Sequence, residues 1–268
     1  MENILFIIMG TSRQELRYAK SVLKIPPQSI RLFLLIDKEH KKILEESSRD
    51  YCNLEFVIFI TPPWDNRTIE QALMLSENVK KRHIFSVVAT EYTTWRIGKQ
   101  ERIQKLLPFI DSVLFIPGIP PKQYNNKKYF LEKWIRKQNF YQKINQFLSF
   151  LNKQNNEKEI VMTDLKDICY IFRNSKEVFW YFGKADGRGR SERAAQMCID
   201  SISSNILSAA TKVMIHLYVS ENVRLDELET ACKIIEDALP PNVTIVFGAT
   251  FLDCSIEGTI RIDVMIAI

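Results

Sequence analysis

Short apolar runs alternate with amphipathic segments throughout the first 116 residues of the chain. The run 3–9 is almost entirely apolar and ends at Gly10, which is typical of a strand buried on both faces of a sheet. Ser12 and Glu15 then have the spacing of a capping box, which marks the start of a helix. The full pattern predicts strands at 3–9, 30–36, 54–60, 84–89 and 112–116, and helices at 12–23, 40–46, 68–81 and 96–107. This alternation predicts a parallel, doubly wound, Rossmann-like α/β sheet, on which ligands lie at the carboxyl ends of the strands.

The last part of the chain predicts a different, α+β arrangement. Every second residue of the segment 213–219 is aliphatic, which is the period-two pattern of a strand with one face on a core. From Leu225 to Leu239 apolar residues recur every three or four positions, which predicts a helix that ends before Pro240. Further strands are predicted at 243–247 and 260–266. We therefore expect a β-α-β unit followed by a hairpin.

A linker and a long helix separate these two patterns. The segment 117–126 contains three prolines, one glycine and two asparagines, which is typical of a linker. The segment 129–152 carries apolar side chains at helical spacing, which predicts one long helix with an apolar face. Basic and aromatic residues alternate in 122–143. They favour a solvated helix face, and a surface for nucleic acid or acidic lipid is the other interpretation.

Length and composition exclude several classes of protein. A chain of 268 residues with 46% apolar content can form two domains with a sizeable core. Its apolar runs are shorter than the roughly 20 residues of a membrane span, so we expect a cytoplasmic protein. Its five cysteines are scattered and its histidines, His40, His83 and His216, lack the spacing of metal ligands. We expect no metal site, and the net charge of +5 is too small to require a nucleic-acid partner.

Four separated segments together resemble the C-terminal domain of the tubulin/FtsZ superfamily. They are 187–195 (GRGRSERAA), 224–230 (RLDELET), 244–250 (TIVFGAT) and 259–267 (TIRIDVMIA). In the N-terminal half, 110–118 resembles the family's strand that ends in Ile-Pro-Asn, with Gly118 at the place of the asparagine. The resemblance implies three parts: a nucleotide-binding-like α/β domain at 1–121, a linker, central helix and activating-type loop at 122–163, and a tubulin/FtsZ C-terminal-like domain at 164–268.

The resemblance also implies a place for a guanine nucleotide. The FtsZ family binds GTP mainly through a glycine-rich loop of the form GGGTGTG, which joins a buried strand to a helix. The matching residues 61–68 read TPPWDNRT and contain no glycine. Pro62 and Pro63 have no N–H to donate to a phosphate, and Trp64 fills space that the phosphates would need. We therefore expect GTP to bind very weakly by the family's route.

A rebuilt nucleotide site is the other interpretation. Arg67 lies at the start of a predicted helix, and a helix N-terminus beside an arginine is an anion site. Capping of that helix by Asp65 or Asn66 is a sufficient explanation of the same residues. The candidate nucleotide-binding residues are Gly10, Thr11, Ser12, Asn66, Arg67 and Thr68. GTP and Mg²⁺ are expected as cofactors only if this rebuilt site exists, and otherwise none is expected.

Two acids match the residues with which one FtsZ subunit completes the site of its neighbour. The family pattern is N-x-D-x-x-D, and here Asp164 and Asp167 match the acids while Met162 replaces the asparagine. The resemblance implies that the two carboxylates position a water molecule for hydrolysis. Acids in the first turn also stabilise a helix by capping and through its dipole, which is the other interpretation.

These features predict a divergent, shortened FtsZ/tubulin-like pseudo-GTPase of a bacterial cytoplasm. We expect it to act through subunit–subunit contacts, as a filament modulator or cell-division-related protein. Its expected partners are a second copy of itself or an authentic FtsZ or tubulin-like protein. No specific nucleic acid is expected, and no membrane tether, since the chain ends at Ile268 directly after the last predicted strand. The alternative is a cytoskeletal protein that binds and hydrolyses GTP in the rebuilt site.

Overall fold

The computed structural model describes residues 4–10, 13–23, 30–34, 56–62, 67–81, 84–92, 97–118, 129–151, 159–251 and 258–268. The chain divides into two compact units, Met1–Asn152 and Lys153–Ile268, called unit 1 and unit 2 below. The predicted helix 40–46 and most of the predicted linker 117–126 lie outside the described residues. Of the described helices, none is both long and apolar enough to cross a membrane.

Unit 1 is a parallel sheet with helices in the connections. Its strands are β1 (Ile4–Gly10), β2 (Ile30–Leu34), β3 (Phe56–Ile60), β4 (Phe85–Tyr92) and β5 (Ser112–Pro117). Its helices are α1 (Arg13–Val22), α2 (Arg67–Lys80), α3 (Ile97–Leu106) and α4 (Tyr129–Leu151). The strand order is β2-β1-β3-β4-β5, and every pair is parallel. The predicted doubly wound α/β fold and the long central helix are confirmed.

Burial explains why the sequence predicted these strands. All five residues of β3 are buried, and so are the residues of β1 from Ile4 to Met9, as expected for strands covered on both faces. The strand β4 continues three residues beyond its predicted end at position 89, because its last residues still pair with β5. This extension places a charged residue, Glu91, inside the sheet.

The helix α4 is anchored on α1 within unit 1. The side-chain amide of Asn145 donates a 2.6 Å hydrogen bond to the carbonyl oxygen of Val22, the last residue of α1. The rings of Tyr141 and Tyr18 meet edge-on with their centroids 5.9 Å apart. The buried face of α4 comprises Phe140, Tyr141, Ile144, Phe147 and Leu148. The predicted apolar face of the long helix is therefore present in its C-terminal part.

Unit 2 is a mixed sheet with helices. Its strands are β6 (Glu159–Val161), β7 (Glu177–Asp186), β8 (Lys212–Val219), β9 (Thr244–Phe251) and β10 (Thr259–Ala267). Its helices are α5 (Leu165–Phe172), α6 (Arg190–Ser201), α7 (Ser204–Ser208) and α8 (Leu225–Asp237). The strand order is β7-β10-β8-β9-β6, in which only β8 and β9 run parallel. The predicted α+β class of this part is confirmed.

The predicted hairpin between the last two strands is wrong. The strands β9 and β10 are not neighbours, because β8 lies between them. The helix α8 connects β8 to β9 as a parallel pair, and β10 then runs back on the other edge of β8. The other partner of β10 is β7, which the sequence analysis missed. The segment 178–182 carried its signal, since five apolar and mostly aromatic residues stand before Gly183.

Two predictions about side-chain burial in unit 2 are also wrong. The strand β8 was expected to have one face on a core, yet seven of its eight residues are buried, His216 included. Leu225 was expected in the buried stripe of α8, but it is 69% exposed. Because Leu225 is the first residue of that helix, its side chain lies beyond the packed turns, where Leu228, Ala231 and Ile235 face the core.

A partly buried ion pair joins the N-termini of α6 and α8. The Arg190 guanidinium donates to both carboxylate oxygens of Glu227, at 2.8 and 2.9 Å, and also to the side-chain oxygen of Asn222 at 3.1 Å. The backbone N–H of Arg224 donates to the same carboxylate at 3.1 Å. These hydrogen bonds, that from Arg190 above all, lower the pKa of Glu227 to about 2. The pair therefore stabilises the folded state through the ionised form of Glu227.

This pKa predicts how the stability of the protein depends on pH. The free carboxyl of glutamate has a pKa of about 4.3, so the contribution of Glu227 is complete above about pH 5 and is lost as the pH falls toward 2. We expect a loss on the order of 3 kcal/mol in the free energy of unfolding over that window. Urea unfolding at pH 6 and pH 3, followed by circular dichroism, should show about half of that loss, because the window extends to about pH 2.

The variant Glu227→Gln should be less stable than the wild type at pH 6 and should approach it at pH 3. Glu229→Gln changes an exposed acid on the same helix and is the matched control. If Glu227→Gln and the wild type lost stability in parallel as the pH falls, the ion pair would not be the cause.

Candidate functional site

The carboxyl ends of β1 and β3 lie side by side at the point where the strand order of unit 1 reverses. Ile8 pairs with Ile60, so Gly10 and Pro62 follow two residues further along the same edge. Such a switch point is where doubly wound sheets bind ligands. The backbone N–H of Thr61 donates to the carbonyl oxygen of Ala89 at 2.9 Å, and its hydroxyl donates to the same oxygen at 3.2 Å. Both the N–H and the hydroxyl of Thr61 are thus used in hydrogen bonds to β4, and Pro62 has no N–H to donate.

Thr68 is the predicted nucleotide-binding residue whose side chain the structure describes at this edge. It is buried in the first turn of α2, and its hydroxyl donates to the carbonyl oxygen of Pro62 at 3.4 Å. The structure therefore brings Thr68 and the end of β3 together. Thr11, Ser12, Asn66 and the side chain of Arg67 lie outside the described residues, and Gly10 is placed through its backbone.

A buried carboxylate lies at the same edge of the sheet, at the end of β4. Glu91 is 3% exposed, and its carboxylate packs against the α-carbon of Gly118, the residue after β5. Lys143 of α4 donates to the carbonyl oxygen of Pro117 beside them. This cluster was not among the predicted sites. A glutamate directly after four apolar or small residues of a predicted strand was the available signal.

The two predicted acids of unit 2 cap a helix. The backbone N–H of Asp167 donates to the carboxylate of Asp164 at 3.0 Å, and the backbone N–H of Asp164 donates to the carboxylate of Asp167 at 2.9 Å. This reciprocal pair is a capping box at the start of α5. Each of the two hydrogen bonds uses one oxygen of its carboxylate, so the capping interpretation and a role toward a neighbouring subunit are compatible.

A buried polar network includes Thr163, the residue that precedes this capping box. The ring of His216 in β8 reaches the hydroxyl of Thr250 in β9 at 2.9 Å and that of Thr163 at 3.4 Å. A side chain on Gly248 would overlap both His216 and Thr163. Thr163 is the residue before Asp164, so this network holds the loop that leads to the acids. Met162, on the other side of Thr163, is 74% exposed.

No group of three or more His, Cys, Asp or Glu side chains with metal-ligand geometry occurs in the part of the chain that the structure describes. His216 serves the hydroxyl network above, whereas His40 and His83 lie outside the described residues. The candidate residues thus form two separate groups. One lies at the carboxyl edge of the sheet in unit 1, and the other lies at the start of α5 in unit 2.

Comparison with known proteins shows what this chain is similar to. Residues 178–268 match the model of the FtsZ family, C-terminal domain. Cell division protein FtsZ 1 of Methanocaldococcus jannaschii is 27% identical over 108 residues, which are 40% of this chain and 29% of that protein. Mitochondrial division protein fszA of Dictyostelium discoideum is 28% identical over 109 residues, which are 40% of this chain and 21% of that protein. The alignment thus spans less than a third of these relatives.

Solved structures extend the likeness to the whole fold. The empty FtsZ dimer of M. jannaschii has a TM-score of 0.74 at 17% identity, and the match covers 100% of this chain and 88% of that one. CetZ2 from Haloferax volcanii, solved as a GTPγS-bound protofilament, has a TM-score of 0.67 at 9% identity, with 98% and 92% covered. The fold is that of an FtsZ/tubulin-type protein. The sequence similarity to FtsZ lies in the C-terminal part of the chain, where residues 178–268 match the C-terminal domain of that family.

The capping box predicts a difference between two substitutions of the same acid. Asp164→Ala removes the acceptor for the N–H of Asp167 and should lower the free energy of unfolding by about 1 kcal/mol. Asp164→Asn keeps an acceptor oxygen and should stay within about 0.5 kcal/mol of the wild type. Urea unfolding measures both. Lys166→Ala, at an exposed position of the same helix, is the control, and an Asn variant as unstable as the Ala variant would contradict the capping role.

Proposed function

We propose that this protein is an FtsZ-like pseudo-GTPase that acts through subunit–subunit contacts in a cell-division or cytoskeletal process. The observation that carries the proposal is the contrast between the two groups of candidate residues. At the end of β3 the residues that should wrap the phosphates begin with two prolines, and Thr61 is bound to β4. At the start of α5 both acids are in place on an ordered helix.

Simple energetics support the loss of nucleotide binding by the family's route. A hydrogen bond to a charged group contributes roughly 1.5–3 kcal/mol, so the loss of three such donors removes about 5–9 kcal/mol. Micromolar affinity corresponds to about 8 kcal/mol in total. The dissociation constant of a triphosphate at the end of β3 would therefore be millimolar or larger. Gly10 alone, at the end of β1, does not replace the missing donors.

The subunit contacts are proposed to involve the surface around Met162, Asp164 and Asp167. Met162 is 74% exposed and stands next to two acids in the chain, so both an apolar and two charged side chains are available to a neighbouring subunit. One relative is named a cell division protein, another a mitochondrial division protein, and CetZ2 was solved as a protofilament. We propose that this surface of unit 2 docks on a second copy or on an authentic FtsZ, in the cytoplasm, and modulates filament growth.

Calorimetry with GTP and Mg²⁺ tests the loss of nucleotide binding. We expect no binding of micromolar affinity to the wild-type protein, because the donors at the end of β3 are missing. An authentic FtsZ titrated under the same conditions is the positive control. Micromolar binding that Arg67→Ala abolishes would overturn the proposal in favour of the alternative, a GTP-binding protein whose site is rebuilt around Thr11, Ser12, Asn66 and Arg67.

Light scattering of FtsZ assembly tests the subunit contact. Substoichiometric amounts of the wild-type protein should shorten the filaments of an authentic FtsZ and change its GTP turnover. Asp164→Asn and Asp167→Asn keep the capping acceptors but remove the charges, and each should weaken the effect several-fold. Asp200→Asn, at an exposed acid of α6, should not. Unchanged filament length and turnover, together with a monomeric wild-type protein in sedimentation, would exclude the proposed contact.

A further inference from the structure

The carboxyl edge of the unit 1 sheet contains an acid of its own, and nothing in the family resemblance accounts for it. Glu91 pairs with Ile116 of β5, and one residue further Tyr92 pairs with Pro117. Glu91 is therefore the second-last residue of β4 that pairs with β5 before the chain leaves the sheet. Its 3% exposure means that water does not solvate the carboxylate freely, so other groups of the protein must do so.

Gly118 is shaped to receive this carboxylate. A Cβ atom built on Gly118 would overlap three side-chain atoms of Glu91, including a carboxylate oxygen. Gly118 does not have a positive φ, unlike Gly187, Gly189 and Gly258 among the described glycines. Its missing side chain is thus explained by the space that Glu91 occupies and not by the backbone.

Lys143 of α4 completes the cluster with a positive charge. Its ammonium group donates to the carbonyl oxygen of Pro117, one residue before Gly118. Burial lowers the pKa of Lys143, and the negative charge of Glu91 acts against this shift. Three segments, the ends of β4 and β5 and the middle of α4, thus bring an acid and a base together at the edge where ligands of such sheets lie.

We infer that the Glu91 carboxylate acts as an internal ligand of the protein. Beside Gly118 and Lys143, it fills part of the carboxyl edge of the unit 1 sheet and excludes anionic ligands from that edge. The inference rests on the proposed function and deepens it, because it names residues that oppose nucleotide binding in addition to the missing donors. A second anion within about 4 Å of a buried carboxylate is strongly disfavoured. Lys143 would otherwise attract an anion, but the negative charge of Glu91 already acts on it.

A double-mutant cycle on the ligand-free protein tests the steric part. Gly118→Ala should lower the melting temperature by about 4–10 °C, because its methyl group overlaps Glu91. In the Glu91→Ala background the same change should cost less than half of that shift. In the Glu91→Gln background, which keeps the volume, it should cost the full shift. Gly187→Ala, where no atom lies within 4 Å, should cost the same in every background.

Rescue by a small anion tests the charge. Removal of the carboxylate in Glu91→Ala leaves space and an unpaired Lys143, so sodium formate should raise the melting temperature of this variant by several degrees over sodium chloride at equal ionic strength. The wild type and Glu91→Gln should show no such difference, since the space is filled.

Additive effects in the cycle, or a formate effect equal in all proteins, would overturn the inference. Both readouts use protein without nucleotide, so they are independent of the calorimetric test of the proposed function. Micromolar GTP binding would refute that function, whereas additivity of Gly118→Ala and Glu91→Ala would refute the internal ligand alone.

Discussion

Burial of the inner strands on both faces is the constraint on which the rest of the structure depends. All of β3 and nearly all of β4 and β8 are inaccessible to solvent. Strands of this kind satisfy their backbone groups through their neighbours and leave only their ends for other chemistry. Both groups of candidate residues lie at such places, one at the ends of strands and the other at the start of a helix.

Several buried ionisable side chains inside the described strands lie close to partners. In β10 the guanidinium of Arg261 donates to both carboxylate oxygens of Asp263, at 2.8 and 2.6 Å, and lies 4.9 Å from the ring centre of Tyr218. His216 shares two hydroxyls, and Glu91 lies near Lys143. Removal of one partner of a buried ion pair would cost several kcal/mol, so each charged group depends on the group beside it.

The sequence was sufficient to predict elements whose pattern is local, and it failed where a property depends on several segments. The strands of unit 1 and the helix α8 follow from apolar runs and from spacing within one segment. The false hairpin arose because strand order is a tertiary property that proximity in sequence does not determine. Asp164 and Asp167 were predicted because a motif and a helix start coincide. The cluster at Gly118 was not, because three distant segments create it.

Glycine residues stand at several close contacts between segments of this chain. Gly118, Gly183 and Gly248 each stand where a side chain would overlap another segment: the carboxylate of Glu91, the backbone of Ala194 and the ring of His216. These three glycines thus stand at close approaches between described segments. A phosphate at the end of β3 would need the same close approach of the backbone, and the residues 61–68 contain no glycine. The chain has eight glycines in 268 residues, and none of them stands in this segment. The contrast between these close approaches and the segment 61–68 supports the proposed loss of nucleotide binding by the family's route.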